Sequence, residues 1–175
     1  MDKQKRNDKQ VRDHLKRAKE MLKDARFASI ATVNADGTPH NSPLYLVVDD
    51  TVEHICFGSH PESLHVQNIN RTGNIFAVVY DMTLTEGFYV GLYIRAVNGR
   101  ELSGTELDAG LQALNATRRR EGRESLTAAY YQGVTPQRMY GADIAELWVN
   151  VVDQDDSGNV VREYRYPIGV QDLLS

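Results

Sequence analysis

The Asp36-Gly37 step, set between two short apolar runs, constrains the fold of this chain more than any other feature of its 175 residues. Glycine reaches the positive φ of a tight hairpin at no steric cost, and aspartate bonds readily to its own backbone in turns. A strand over residues 27–33 must therefore turn back after Asn34-Ala35-Asp36-Gly37. Pro39 fits the start or edge of the return strand, where its missing N–H costs no ladder bond, and residues 42–48 carry that strand on until Asp49-Asp50 closes it. A third short strand is expected over residues 52–57, a turn running into a helix over 58–69, and a fourth strand over 75–81.

The flanking segments extend this pattern. Val11, Leu15, Ala18, Met21 and Leu22 recur at spacings of three and four, which predicts a helix over residues 9–25 preceded by a frayed, polar residues 1–8. Its apolar face is narrow, lacks aromatics and is interspersed with acids, which favours packing on a barrel or a partner subunit over lying on a membrane. Residues 82–87 read as a loop and residues 88–97 as a fifth strand. Asn98-Gly99 suits either a hairpin turn or a bulge in one strand continuing to Leu102. Ser103 and Glu106 have capping-box spacing ahead of a helix over 105–120, with Leu107, Leu111 and Leu114 as its apolar face and Arg118, Arg119 and Arg120 at the end that suits cations. Residues 122–133 suit a short helix or a loop around Tyr130-Tyr131, broken by Pro136. A closing hairpin of residues 144–152 and 160–166 follows, joined by a polar turn over 153–159.

A chain of this length is large enough to bury roughly 70% of the surface it would expose unfolded, so one domain over residues 1–175 is expected. Twenty basic against 24 acidic residues give a formal net charge of −4, with no broad attraction for nucleic acid. The single cysteine, Cys56, lies in an apolar strand, which excludes a disulfide framework and suits a reducing compartment. The start of the chain is too charged for a signal peptide and no apolar stretch approaches the roughly 18 residues that span a bilayer. A cytoplasmic protein without nucleic-acid or membrane partners is expected.

The segment from Ser59 to His65 carries the chemical signal. Pro61 suits the first turn of a helix, and a helix N-terminus with free N–H groups attracts anions, phosphate above all. The same residues also permit an ordinary capping box between Ser59 and Glu62, which would leave the helix end satisfied without a ligand. Arg95 interrupts an apolar strand and needs a partner or a wet face; a phosphate, Glu101 and Asp81 are the candidates. His14, His40 and His54 are scattered at spacings that match no zinc motif. Nor does the sequence contain a nucleophile elbow, a P-loop, a dinucleotide-binding glycine fingerprint or a paired-carboxylate signature.

In the order and spacing of these pieces the chain resembles the flavin-binding split-barrel family, the group that includes pyridoxamine 5'-phosphate oxidase. The resemblance covers residues 27–103. It rests on the hairpin of residues 27–37, the Gly-x-Pro-x-x-Ser-Pro order from Gly37 to Pro43, the strand-to-helix turn of 57–65, the strand of 75–81 and Gly99-Arg100-Glu101-Leu102. It implies a mainly β protein, a six-stranded antiparallel split β-barrel with peripheral helices, and it favours the bulge at Asn98-Gly99. It further implies a homodimer whose subunits share each flavin site, FMN as cofactor, and hydride transfer through that flavin to or from a small-molecule substrate. On the family's pattern Ser63 matches the phosphate-binding serine, and His65 stands where a lysine or arginine is usual. Gly58 and Ser59 fall at the strand end that contacts the flavin. Asn41, Ser42 and Pro43 match the segment that meets the ring and ribityl chain, again without the usual basic residue at Ser42, and Arg95 is a candidate to compensate. A neutral imidazole grips phosphate weakly unless the phosphate raises its pKa. The chain from Tyr166 to Ser175 lacks the basic and aromatic cluster expected for pyridoxamine phosphate itself. What the resemblance leaves is a flavin oxidoreductase acting on another substrate, a non-catalytic flavin-binding or storage protein, or a relative using deazaflavin or haem.

Overall fold

This computed structural model describes residues 3–24, 27–80, 91–155 and 157–174. Along the chain stand α1 (Lys3–Asp24), β1 (Ala28–Val33), β2 (Pro39–Leu44), β3 (Leu46–Val48), β4 (His54–Ser59), α2 (Leu64–Thr72), β5 (Ile75–Tyr80), β6 (Gly91–Glu101), α3 (Gly104–Arg120), a π-type turn (Tyr130–Val134), β7 (Arg138–Gln154), β8 (Val160–Ile168) and α4 (Val170–Leu174). The strands form one antiparallel sheet in the order β2-β1-β5-β6-β7-β4-β3, with β8 added to β7. Only Tyr45 separates β2 from β3, although they lie at opposite ends of that order. The sheet therefore curls until its two ends meet, and the break at Tyr45 is where the barrel is split.

The split barrel expected from the sequence is what forms, with eight strands among the described residues where six were expected. One reason is that the apolar run of 42–48 divides at Tyr45 between the two sheet edges. Another is the length of β7, whose residues 138–143 pair with β4 while residues 147–154 pair with β8. The start of β7 escapes sequence reading because it holds Gly141 and Ala142, poor strand formers. A Cβ on Gly141 would stand 2.9 Å from Leu102 Cδ2, so close packing rather than strand propensity selects glycine there.

Alternation along the strands separates two cores. Ile30, Ile55, Phe57, Ala77, Ile94, Tyr140 and Val149 point into the barrel, where Ala18 and Met21 of α1 also pack. Cys56, Leu102, Leu107, Leu111, Leu114, Tyr131 and Met139 fill a second core between the outer sheet face and α3. Thus α1 covers the barrel, and His14 of that helix bonds through Nδ1 to the Asn150 carbonyl. No helix among the described residues is long and apolar enough to cross a membrane.

Several boundaries move for physical reasons. α1 begins at Lys3 rather than Lys9, because the Lys, Gln and Arg residues ahead of the apolar face are good helix formers. β4 begins at His54 rather than Val52, because Asp49 Oδ1 accepts the N–H groups of Glu53 and His54 and holds residues 49–53 in a turn, with Val52 at φ 56°. α2 begins at Leu64 rather than Pro61, since Ser63 N–H donates to the His60 carbonyl at 3.0 Å and so makes Pro61 part of a turn. Gly73 ends that helix at φ 66°. Asn98-Gly99 is the bulge, a register shift between Val97 and Arg100 inside an unbroken β6. The Ser103–Glu106 capping box does not form; the Glu106 carboxylate turns to Arg100. The expected end of the first helix at Ala25, the end of the fourth strand at Asp81, the loop of 82–87 and the start of the fifth strand at Phe88 lie outside the described residues.

Candidate functional site

Strand alternation puts His40, Ser42 and Leu44 on one face of β2 and Pro39, Asn41 and Pro43 on the other. The inner face of β4 likewise continues from Phe57 to Ser59. Curling of the sheet brings these strand ends to the first turn of α2, and four of the sequence-predicted residues meet there. His65 Nε2 lies 2.7 Å from Ser59 Oγ and 3.1 Å from Ser63 Oγ, and His65 Nδ1 lies 3.2 Å from Ser42 Oγ. Ser59 and Ser63 are themselves 3.0 Å apart, and Ser63 Oγ donates to the His60 carbonyl at 2.8 Å. The His40 ring stacks nearly parallel to that of His65, 6.5 Å between centroids, and its Nε2 lies 3.1 Å from Ser42 Oγ.

One carbonyl fixes the direction of every proton in this chain of bonds. A carbonyl only accepts, so the Ser63 hydroxyl proton points at His60, and Ser63 must accept from Ser59. The Ser59 proton is then committed, so Ser59 accepts from His65 Nε2–H. The neutral His65 ring in turn accepts at Nδ1 from the Ser42 hydroxyl, which accepts from His40 Nε2–H. Burial disfavours the charged ring, and the neighbouring His40 adds to this, so His65 is held below the ordinary histidine range and is neutral at pH 7.

The capping-box alternative at this turn is not what forms. Ser63, not Ser59, is the N-cap of α2, and its side chain caps none of the helix N–H groups. A first turn of N–H groups without a side-chain cap therefore opens beside two hydroxyls whose protons can turn toward it, a set that suits an oxyanion.

The other sequence-predicted residues stand apart. Asn41 exchanges side-chain bonds with Ser29 on the far face of β2, at 3.0 and 2.8 Å, and Pro43 shares that face. Gly58 faces outward, where its Cβ would stand 3.0 Å from the Tyr131 hydroxyl beside a cavity of about 190 Å³ lined by Tyr45, Cys56 and Arg118. Arg95 forms a two-point ion pair with Glu146, at 3.0 and 2.9 Å, on the outside of β6 and β7. Its partner is thus neither Glu101 nor Asp81.

Two residues of this region escaped sequence reading. His40 enters the sequence pattern only as a candidate metal ligand, although its period-two relation to Ser42 puts the two on one strand face. Arg138, the strand partner of Ser59, shares its sheet face; its Nη1 bonds the Thr135 and Gln137 carbonyls and its Nε lies 3.7 Å from Glu101. Only the pairing of β4 with β7 reveals it.

The family model described as pyridoxamine 5'-phosphate oxidase matches residues 15–150. No curated protein sequence matches the chain. Among solved structures, a haem binding protein from Mycobacterium smegmatis superposes with a TM-score of 0.62 at 12% identity, over 92% of this chain and 60% of that one. The haem storage protein HutZ from Vibrio cholerae gives 0.59 at 17% identity, over 77% of this chain and 92% of that one. An FAD binding protein from Mycobacterium smegmatis gives 0.54 at 15% identity, with the same coverages of 77% and 92%. At these identities the likeness is one of fold.

Proposed function

The chain belongs to the pyridoxamine 5'-phosphate oxidase family, and from that premise we propose that it binds FMN, with the phosphate at the start of α2, and acts as a flavin-dependent oxidoreductase on a small molecule. The observation that carries the reading is the convergence of the Ser59 and Ser63 hydroxyls on a helix start without a side-chain cap. A bound flavin supplies the hydride chemistry, and the protein's part is to hold and orient it. In this reading the first-turn N–H groups donate to the phosphate, and the Ser59 and Ser63 hydroxyls join them by turning their protons away from each other and from the His60 carbonyl. Arg138, on the sheet face of Ser59, is the cation suited to balance the phosphate charge, a role the sequence alone assigned to His65 or Arg95.

A second copy of the chain is part of this proposal. The outer face of β5–β7 carries Phe76 in ring contact with Tyr93 and Trp148, at 6.4 and 6.2 Å, and Arg165 of β8 lies 4.1 Å over Tyr93. Such an aromatic face with an arginine has the make-up of an interface core. Haem is the second reading, favoured by the two haem proteins among the structural neighbours.

An absorbance scan of the purified protein, before and after loading with FMN or haemin, separates these readings. The expected result is a flavin spectrum, tighter retention of FMN than of riboflavin, bleaching by a reduced nicotinamide and recolouring in air, in a particle of twice the chain mass by sedimentation velocity. Flavin that binds yet is reduced no faster than in free solution would leave a storage protein, and a Soret band with no flavin uptake would replace the proposal with haem binding.

A further inference from the structure

The hydrogen-bonded file behind the helix start leads from a buried ring to a partly exposed one. His65 is 8% exposed, while His40 lies half-buried on β2. With Ser59, Ser63 and the His60 carbonyl fixing proton direction, His65 has one open lone pair, at Nδ1, and the Ser42 proton already points at it.

From this geometry we propose that His40, Ser42 and His65 form a proton-charging relay, which couples arrival of a phosphate-bearing ligand at the start of α2 to the uptake of one proton from solvent. The proposal rests on the reading of that site as a phosphate site. Its bookkeeping balances without any other reactant. His40 gains a solvent proton at Nδ1 and gives its Nε2 proton to Ser42 Oγ, and Ser42 passes its own hydroxyl proton to His65 Nδ1. His40 ends neutral as the other tautomer, Ser42 ends with its hydroxyl turned toward His40 Nε2, and His65 ends as an imidazolium. The bonds to Ser59 and Ser63 need not break.

The surroundings explain why the relay waits for its ligand. Among the neighbouring elements β1 carries no titratable side chain, the turn before α2 carries His60 and Glu62, and the start of β7, paired with the end of β4, carries Arg138 and Tyr140. Burial, and to a lesser extent the neighbouring His40 ring, are what oppose a proton on His65 in the ligand-free protein. A phosphate dianion reverses that balance, because it adds two negative charges beside a ring whose second nitrogen already has a hydrogen-bond partner. The sequence pattern is therefore not a weakened version of a fixed cation. It is a cation present only when the anion is.

Calorimetric titration with FMN at pH 7, in buffers of different ionisation enthalpy, tests the coupling. The expected result is uptake of about one proton per FMN and none with riboflavin, since a single charging step binds a single proton. Between pH 6.5 and 7.5, where the phosphate is mostly dianionic, FMN affinity should then fall about tenfold while that of riboflavin stays flat. His65→Gln should abolish both the uptake and the slope. For the route, a pH indicator and flavin fluorescence followed together in stopped flow should change in step in the wild type. In His40→Phe the proton signal should lag behind the fluorescence. FMN binding without proton uptake, or uptake that persists in His65→Gln, overturns the relay and leaves the phosphate site standing. Signals still in step in His40→Phe overturn the route through His40. Failure of FMN and inorganic phosphate alike to bind removes the site and the relay together.

Discussion

Replacing Gly99 with alanine tests how the bulge of β6 sets the position of α2. Gly99 does not lie in the left-handed region, so an alanine meets no backbone obstacle there and the question is one of space. Its Cβ would stand 2.6 Å from Ile69 Cγ2 and 3.3 Å from the Gly73 carbonyl oxygen, which bonds the Gly99 N–H at 2.9 Å. Ile69 is 0% exposed and β-branched, so Cγ2 cannot rotate away, and the helix itself must yield. The overlap is about 0.8 Å relative to ordinary contact, and overpacking of this kind costs roughly 1–3 kcal/mol. Against it stands a gain of about 0.4–1 kcal/mol from stiffening the unfolded chain, so the clash wins and the expected net loss is about 1–2 kcal/mol. Urea unfolding should show this as a lower midpoint at constant m. Ile69→Leu moves the branch off Cβ at constant volume, so the double variant Gly99→Ala/Ile69→Leu should recover more than half of the loss. His65 lies one turn before Ile69 on the same helix face, so the single variant should also loosen the Ser42–His65 bond and weaken FMN. Wild-type stability in Gly99→Ala, or no coupling in the double variant, would refute the idea that this contact seats the helix.

Two further outcomes follow from buried groups away from that helix. Burial pushes the Cys56 thiol up to about 12, with Asp49 adding to the effect, so a disulfide reagent at pH 8 should label the native protein only at the rate of unfolding; prompt stoichiometric labelling would contradict the packing under α3. Burial alone would raise the Asp49 carboxyl, but hydrogen bonds from His54, Thr51 and the Glu53 N–H outweigh it and hold the group below its ordinary range. A carboxyl lowered on folding stabilises fully above its unfolded value, near 4, and the contribution is lost as pH falls through the lower folded value. Asp49→Asn should therefore cost about 1–2 kcal/mol at neutral pH and flatten the acid limb of the stability curve; an unchanged acid limb would show that the turn of 49–53 does not depend on the charge.

The parts of the fold legible in the sequence are those where one local rule acts alone. Asp36-Gly37 marks the first hairpin because the turn needs what that pair supplies: Gly37 sits at φ 85° and Asp36 accepts the Thr38 N–H. The parts that were not legible depend on two segments at once. Gly141 looks like a strand breaker until Leu102 is seen to occupy the space of its side chain. Glu106 looks like a capping residue until β6 offers Arg100, which it shares with Asp143. In both cases a contact between two elements outbids a local preference, and for Gly141 no short window along the chain contains both partners.

The candidate site divides along the same line. Ser59, Ser63 and His65 lie within one turn-and-helix segment, and a helix start is a property of that segment, so the sequence brings them together. Ser42 joins them only because Tyr45 sends the chain from one sheet edge to the other, which forces the edges to meet. The polarity of the hydrogen-bond file is more remote still, since it is decided by the His60 carbonyl and read at His40, two groups with no sequence pattern between them. A residue-by-residue likeness to a fixed lysine or arginine therefore underdescribes His65. Its protonation belongs to the file as a whole, and changing Ser42, which touches neither the carbonyl nor the exposed ring nitrogen, should alter it as surely as changing His65 itself.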